Sequence, residues 1–162
     1  MTLLNAPAYD NRKERRKTGL LIGIGVFIAL FIILWLGGYI LGHGWFFSNL
    51  PAERRVSHFF DALEAKDYVK AYGIYFNDPN WQQHPQKYDY KLERFIEDWT
   101  TESPVKGPIT SHKIDISKTD GSGYFGSGII VATRVNDDHK VFMYYIRKDG
   151  TLSWPAPHEL EY

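Results

Sequence analysis

Few residues of this chain have the types and spacing that catalysis requires. The candidate acids and bases are Asp98, His112 and Asp115, and Asp115 lies between two isoleucines. A general base would have to face an apolar cavity that shifts its pKa toward neutrality. A charged residue that alternates with isoleucines is, however, typical of the solvent face of a half-buried strand, and we prefer that interpretation. We therefore assign no catalytic residue.

Metal and cofactor sites are not expected either. The six histidines show no i, i+4 pair and no local cluster, as a helical metal site would. The chain has no cysteine, which excludes disulfides, thiolate metal sites and thiol nucleophiles. The glycine-rich stretch is not followed by a helix or by Lys-Ser/Thr, so we assign it to a turn and a bent strand rather than to a phosphate loop. Its glycines are Gly121, Gly123, Gly126 and Gly128.

The most informative stretch is residues 19–42, GLLIGIGVFIALFIILWLGGYILG, which contains no charged side chain. A helix of this length covers about 36 Å, more than the ~30 Å hydrocarbon core of a bilayer. We predict a single transmembrane helix. It contains no ionisable residue, so we expect it to anchor the chain rather than to conduct ions or protons. A cleavable signal peptide is the competing interpretation, but the run is long and no A-x-A pattern follows it.

The charges around this stretch predict its orientation. Residues 1–17 carry five basic and two acidic side chains, a net charge of +3, which leaves the remainder at −3 because the whole chain is neutral. By the positive-inside rule the N-terminus is cytoplasmic and the C-terminal domain is extracytoplasmic, on a cell (inner) membrane. A mildly acidic domain gives no reason to expect nucleic-acid binding. The basic residues are Arg12, Lys13, Arg15, Arg16 and Lys17.

Two features of the predicted span suggest contacts beyond lipid. Two G-x-x-x-G spacings could let a second helix approach closely, from a membrane-protein partner or from a second copy, although glycine is also common in membrane helices. Aromatic residues near the outer end are typical of the membrane–water interface. The helix-packing glycines are Gly19, Gly23, Gly38 and Gly42, and the interfacial aromatics are Trp35, Tyr39, Trp45, Phe46 and Phe47.

The chain thus divides into a basic leader (1–18), a transmembrane helix (19–42), an aromatic juxtamembrane linker (43–51) and one extracytoplasmic domain (52–162). Apolar residues at i, i+3, i+4 and i+7 predict a helix over 51–65 capped by Ser48 and Asn49, a second capped by Asp67 and a third capped by Asp89. Alternating patterns and turn residues then predict an antiparallel meander of strands over 109–118, 124–135, 140–147 and about 152–154, with the second strand central.

The run from Phe59 to Tyr72, FFDALEAKDYVKAY, resembles the opening helix pair of the NTF2-like, cystatin-like superfamily. In small bacterial members, an aromatic and leucine-rich helix is followed by a Lys-Asp or Gly-Asp break and a Tyr-x-x-Ala helix. A later helix with Phe95, Ile96 and Trp99 and the glycine-rich strands extend the likeness over about residues 53–155. The resemblance implies an α+β domain in which three helices pack on a curved antiparallel four-stranded sheet.

An NTF2-like domain on one membrane anchor is also similar in architecture to bitopic envelope proteins, such as the assembly factors of type IV secretion systems and the Mce-associated proteins. The superfamily hosts enzymes, ligand carriers and interaction modules, so the fold does not choose among them. Aromatic residues make up 16% of the chain, and some could form a partner surface, although core filling is the stronger interpretation. The candidates for that surface are Trp81, Tyr88, Tyr90 and Trp154, with Tyr144 and Tyr145 beside them.

These observations favour a non-catalytic, membrane-anchored interaction module, an accessory subunit or assembly factor of an envelope complex, with the lipid bilayer and a membrane protein or a second copy as its partners. The alternative is a small-molecule binder or enzyme that uses the cone-shaped cavity of the domain. An open pocket with a buried carboxylate would favour the alternative, whereas a filled interior would favour the interaction module.

Overall fold

The computed structural model describes residues 11–122 and 126–162. Within these two ranges, four α-helices precede four β-strands, which confirms an α+β architecture with an antiparallel sheet. The helices are α1 (Asn11–Ile40), α2 (Leu50–Glu64), α3 (Tyr68–Tyr75) and α4 (Leu92–Asp98), and the strands are β1 (His112–Thr119), β2 (Gly128–Val135), β3 (His139–Ile146) and β4 (Leu152–Ser153). Short 3₁₀ turns lie at Trp45–Phe47, Trp81–Gln83 and Pro85–Lys87.

Helix α1 is long and apolar enough to span a membrane by its length and composition. It begins before the apolar run, because the Arg, Lys and Glu residues after Asn11 are good helix formers. It ends at Ile40, two residues before the predicted end of the span. The rest of the chain buries none of its most apolar part. Part of the basic leader, residues 1–10, lies outside the described residues.

Helices α2 and α3 form the predicted pair. Asp67 caps α3, since its Oδ1 accepts a hydrogen bond from the Lys70 backbone N–H at 3.0 Å. The predicted cap of α2 is wrong in detail. Asn49 occupies the N-cap position, but its side chain makes no cap bond and instead donates to the backbone carbonyl of Ser117 at 3.1 Å. A long-range contact therefore replaces the local one.

The connection from α3 to α4 is the predicted irregular loop with embedded aromatics. Trp81 is buried in it, and its indole N–H donates to the Val69 carbonyl at 3.2 Å. Asp89 does not cap α4, because the N-cap position falls at Lys91, which makes no side-chain cap bond. Phe95 and Trp99 are buried on the predicted apolar face of this helix.

The sheet has the order β1-β2-β3-β4 with antiparallel pairs, so the meander and the central position of β2 are confirmed. Strand β2 begins at Gly128, after the predicted start at 124. Residues 124 and 125 of that predicted strand, and 123 of the glycine-rich stretch before it, lie outside the described residues. A bulge between Ile114 and Ile116 adds one residue to β1 opposite β2. Ile114 joins the core beneath the helices, Ile116 packs with the opposite cluster, and Ser117 is buried next to α2.

The two faces of the sheet are covered differently. Helix α2 packs against β1, β2 and β3, and α3 packs against β4, which encloses the main core. The opposite face carries a small cluster of Ile130, Ala132 and Phe142, covered by Leu160 from the C-terminal tail. The tail, whose sequence predicts no regular structure, is therefore packed on the sheet: the Ala156 N–H donates to the Phe142 carbonyl at 3.1 Å.

Candidate functional site

The structure gives Asp98 and Asp115, two of the candidate acids, structural partners. Asp115 accepts two hydrogen bonds from Arg134, at 2.8 and 3.2 Å, and one from the Tyr162 hydroxyl at 2.9 Å. Burial and the bond to Asp115 raise the pKa of Tyr162 to about 12. Asp98 accepts from the Tyr90 hydroxyl at 2.7 Å and pairs with Arg94 at 2.7 Å. Both carboxylates thus hold elements together.

His112 lies at the start of β1, against α2, and joins groups that are distant in sequence. Its Nδ1 is 2.6 Å from Glu64 Oε1, and its Nε2 is 2.9 Å from Ser57 Oγ and 4.0 Å from Asp61 Oδ1. The three α2 residues occur at i, i+4 and i+7 and therefore share one helix face. Only a fold that lays β1 along α2 brings the histidine to them, which is why this group was not visible in the sequence.

The order Ser57, His112, Glu64 matches the donor–acceptor order of a serine nucleophile, its base and an orienting acid. Acyl-transfer catalysis also needs free N–H groups aimed at the developing oxyanion. Ser57 lies in the middle of α2, where backbone N–H groups donate to the carbonyls of the preceding turn. The helix therefore supplies no oxyanion hole around Ser57, and this geometry does not support nucleophilic catalysis.

A second polar cluster lies where α1 meets the domain, and we call it the joint: Gly42, His43, Asn49, Glu53 and Ser117. Glu53 is 6% exposed, its Oε1 accepts from the Ser117 hydroxyl at 2.5 Å and it lies 2.8 Å from His43 Nδ1. The Ser117 N–H donates to the Gly42 carbonyl at 2.7 Å. These bonds connect the end of α1 to both α2 and β1.

Sequence reasoning missed the joint. The signal was that Glu53 lies three residues before Val56 and seven before Phe60, in register with the apolar stripe of α2. A carboxylate at such a position is buried and needs partners. Its partners, His43 and Ser117, are 10 and 64 residues away in sequence.

Gly42 terminates α1 rather than extending a helix-packing face. Its φ is +81°, and its N–H donates to the Tyr39 carbonyl at 3.1 Å. The His43 N–H donates to the Gly38 carbonyl at 2.8 Å, which completes a Schellman C-cap. Gly38 is buried under the chain's own Gly44–Phe47 turn. Gly19 and Gly23 remain open, since a Cβ added at either would meet no atom within 4 Å, so the prediction of a packing face is limited to them.

The predicted interfacial aromatics form a clamp along the end of α1. The rings of Trp35 and Tyr39 stack on Trp45, with centroids 4.9 and 4.3 Å apart, and Phe31 meets Phe46 edge-on at 4.8 Å. Phe46 adopts a φ of +52°, a conformation that turns the chain back along the helix. The aromatic linker is thus folded onto α1.

Of the four residues predicted as a partner surface, one is buried in the core and three are half-buried against it. Trp81 is buried, Tyr88 stacks on Phe76 at 4.1 Å, and Trp154 packs against Trp99 at 5.7 Å. All four rings therefore contribute to core packing, and partner binding by the three half-buried ones stays a prediction. The half-buried Tyr90 also packs against the core.

The space between helices and sheet, where the cone cavity would lie, is filled by aromatic rings. Phe59 packs edge-on against Trp99 at 4.8 Å and against Phe60 at 5.4 Å, and all three are at most 2% exposed. An open cleft of about 590 Å³ lies elsewhere, beside the joint, between the end of α1 and β1. Its lining includes Trp45 and Lys118.

Models of known protein families give no match to this chain, and neither the curated proteins nor the solved structures searched contain a match.

Proposed function

We propose that this chain is a single-pass membrane protein whose α+β domain lies on the outer face of a cell membrane and acts as a non-catalytic accessory or assembly subunit of a membrane complex. The proposal includes a cytoplasmic N-terminus, an NTF2-like domain, and a partner that is a membrane protein or a second copy of the chain.

The joint is the observation that carries the proposal. Residues 41–49 bond to α1 on one side and to α2 and β1 on the other, so the domain has a set orientation relative to the span helix. An enzyme domain that only needs to be near a membrane can use a flexible linker. A set orientation presents the same face to every neighbour in the bilayer, which is what lateral docking requires.

The filled interior is the second support. Ligand pockets in proteins are usually concave, largely preformed and hundreds of Å³ in volume. Here Phe59, Phe60 and Trp99 occupy the region between helices and sheet. The interior therefore gives no support to the alternative of a cavity-based binder or enzyme.

The test is to purify the full chain at native abundance in mild detergent and to identify co-purifying proteins by mass spectrometry. A matched variant replaces residues 43–48 with a Gly/Ser segment of equal length, which keeps the span and the domain but removes His43 and the clamp. We expect a stoichiometric membrane protein or a homo-oligomer with the natural chain, and at least a severalfold loss with the variant. A natural chain that emerges alone and monomeric would refute the proposal.

A further inference from the structure

Among the residues that the structure describes, one group of side chains that could bind a metal ion lies at the contact between α2 and β1, outside the joint. Asp61 and Glu64 from α2 and His112 from β1 place one ligand atom each within 4.8 Å of one another. Both elements are held by the rest of the domain, since Val56, Phe60 and Leu63 of α2 are buried in the core and β1 pairs with β2 along its length. Sites built on such elements hold their geometry better than sites on loops.

His112 is oriented in the way a metal-binding histidine usually is. Its side chain is 9% exposed, and its ring stacks on Phe60 with centroids 5.5 Å apart. An ionised carboxylate only accepts hydrogen bonds, so the 2.6 Å contact with Glu64 favours the tautomer with its proton on Nδ1. In that tautomer Nε2 carries the lone pair that a metal ion would bind. A carboxylate on the far nitrogen is the common second-shell partner of a zinc-binding histidine.

Asp61 leaves a gap in front of that lone pair. Its Oδ1 is 4.0 Å from His112 Nε2, which is too long for a hydrogen bond. Among the described residues, no hydrogen bond to the Asp61 carboxylate is present, and its side chain is 58% exposed. Two ligand atoms of a tetrahedral zinc ion lie about 3.3 Å apart. A side-chain rotation that moves Asp61 Oδ1 by less than about 1 Å would therefore bring it and His112 Nε2 to the separation at which both can bind one zinc ion.

We propose that His112 Nε2 and an Asp61 oxygen bind a divalent transition metal ion such as Zn²⁺, with Glu64 as a positioning residue through Nδ1. Water completes the coordination, because the Asp61 side of the site is open to solvent. Ser57, 2.9 Å from Nε2, gives up its hydrogen bond to the ring when the ion binds. The ion would tie α2 to β1. The inference is independent of the proposed membrane role.

The chemistry of the ligands favours a transition metal over Mg²⁺ or Ca²⁺. Imidazole nitrogen suits zinc, copper and nickel, whereas Mg²⁺ and Ca²⁺ prefer oxygen ligands. Surface carboxylates that only attract cations by charge would not prefer Zn²⁺ to Mg²⁺ as an imidazole nitrogen does. A preference for Zn²⁺ over Mg²⁺ therefore reports that His112 is a ligand.

The experiment measures Zn²⁺ binding to the full chain in detergent by competition with a chromophoric chelator, with Mg²⁺ in parallel. We expect one Zn²⁺ per chain and at least a tenfold weaker response to Mg²⁺. His112→Asn and Asp61→Asn should abolish binding at this site, and Glu64→Ala should weaken it roughly 10- to 100-fold, as second-shell changes do.

The matched control is His84→Asn. His84 lies 2.5 Å from Asp78 in another histidine–carboxylate pair but lacks the third group. We expect this variant to bind zinc like the natural chain. Because the His112 side chain is only 9% exposed, the folding of His112→Asn is checked by circular dichroism. If His112→Asn misfolds, the exposed substitution Asp61→Asn gives the decisive result. Stoichiometric zinc that survives Asp61→Asn, a loss in His84→Asn, or no zinc binding at all would overturn the proposal.

Discussion

At the scale of single residues, Asp78 shows how one carboxylate organises a loop that has little regular structure. Its Oδ2 accepts from the Tyr88 hydroxyl at 2.6 Å, lies 2.5 Å from His84 Nε2 and is 3.4 Å from Lys87 Nζ. The bond from Tyr88, followed by that from His84, holds the pKa of Asp78 well below its usual range. These partners span the loop between α3 and α4.

The lowered pKa predicts a pH dependence of stability. A carboxyl group whose pKa is lower in the folded state stabilises the fold above its unfolded pKa, 3.8 here, and loses that contribution as the pH falls through the folded value. We expect the melting temperature to fall as the pH is lowered below about 4, and Asp78→Asn to flatten part of that fall. Thermal unfolding at pH values from about 2 to about 6 measures this dependence of the melting temperature on pH.

The control for this prediction is Asp89→Asn, which changes an exposed carboxylate of the same loop. It should leave the pH profile of the natural chain unchanged. Tyr88→Phe removes the main cause of the lowered pKa and should move the profile toward that of Asp78→Asn. Identical profiles for the natural chain and Asp78→Asn would contradict the assignment.

The buried Glu53 illustrates what residue types alone could not show. Charged residues are rarely buried unless they are paired, so its place on the apolar stripe of α2 was informative. The identity of its partners depends on β1 lying beside the joint, and no pattern in the sequence specifies that contact.

At the scale of elements, the end of α1 and the aromatic clamp behave as one unit because of Gly38. A Cβ at this position would lie 2.5 Å from the Phe47 backbone nitrogen and would also meet the Gly44 carbonyl. Backbone atoms cannot rotate away as a long side chain can. Any side chain here must therefore displace the turn that connects α1 to α2.

We expect Gly38→Ala to destabilise the full chain by about 1 to 3 kcal/mol, the usual range for overpacking. The stacking of Trp45 on Trp35 and Tyr39 would loosen with the turn, so tryptophan fluorescence should change along with the thermal unfolding midpoint in detergent. Gly23→Ala is the matched control, since a Cβ there meets no atom within 4 Å. Equal midpoints for both variants would contradict the docking of the turn on Gly38.

The same pair of positions separates two roles of glycine in α1. Gly23→Ile should leave the fold intact and weaken helix–helix association if the open Gly19 and Gly23 face binds another helix. If Gly23→Ile crosslinks to a second copy or to a partner as the natural chain does, the hypothesis that this face binds another helix is contradicted. Gly38 and Gly42 were predicted with them, but a C-cap and a docked turn now account for both.

At the scale of the whole molecule, the prediction concerns orientation across the membrane. The chain contains no cysteine, so one introduced thiol reports its own side. We expect a membrane-impermeant maleimide on intact cells to label Lys148→Cys, in an exposed turn after β3, and to spare Thr2→Cys until the cells are lysed. The reverse labelling would overturn the cytoplasmic N-terminus, and a mature chain without residues 1–42 would identify a cleaved signal peptide.

The sequence by itself determined those features that depend on local periodicity. The uncharged run of α1, the stripes of α2 and α3, the Asp67 cap and the meander with β2 at its centre all follow from spacing that repeats over a few residues. The physical reason is that helices and strands expose their faces with fixed periods, and burial acts on those faces. Boundaries were harder to predict, because a capping side chain can bond to a long-range partner instead, as Asn49 does.

Only the tertiary structure decided which distant groups meet. Asn49 and Glu53 bond to Ser117, more than sixty positions away in the sequence. His112 contacts Glu64, which is 48 positions away. The tertiary structure also decided that Phe59, Phe60 and Trp99 fill the space between the helices and the sheet. These outcomes depend on how α2 and β1 are packed, and that packing is set by the summed burial of the core rather than by any local pattern.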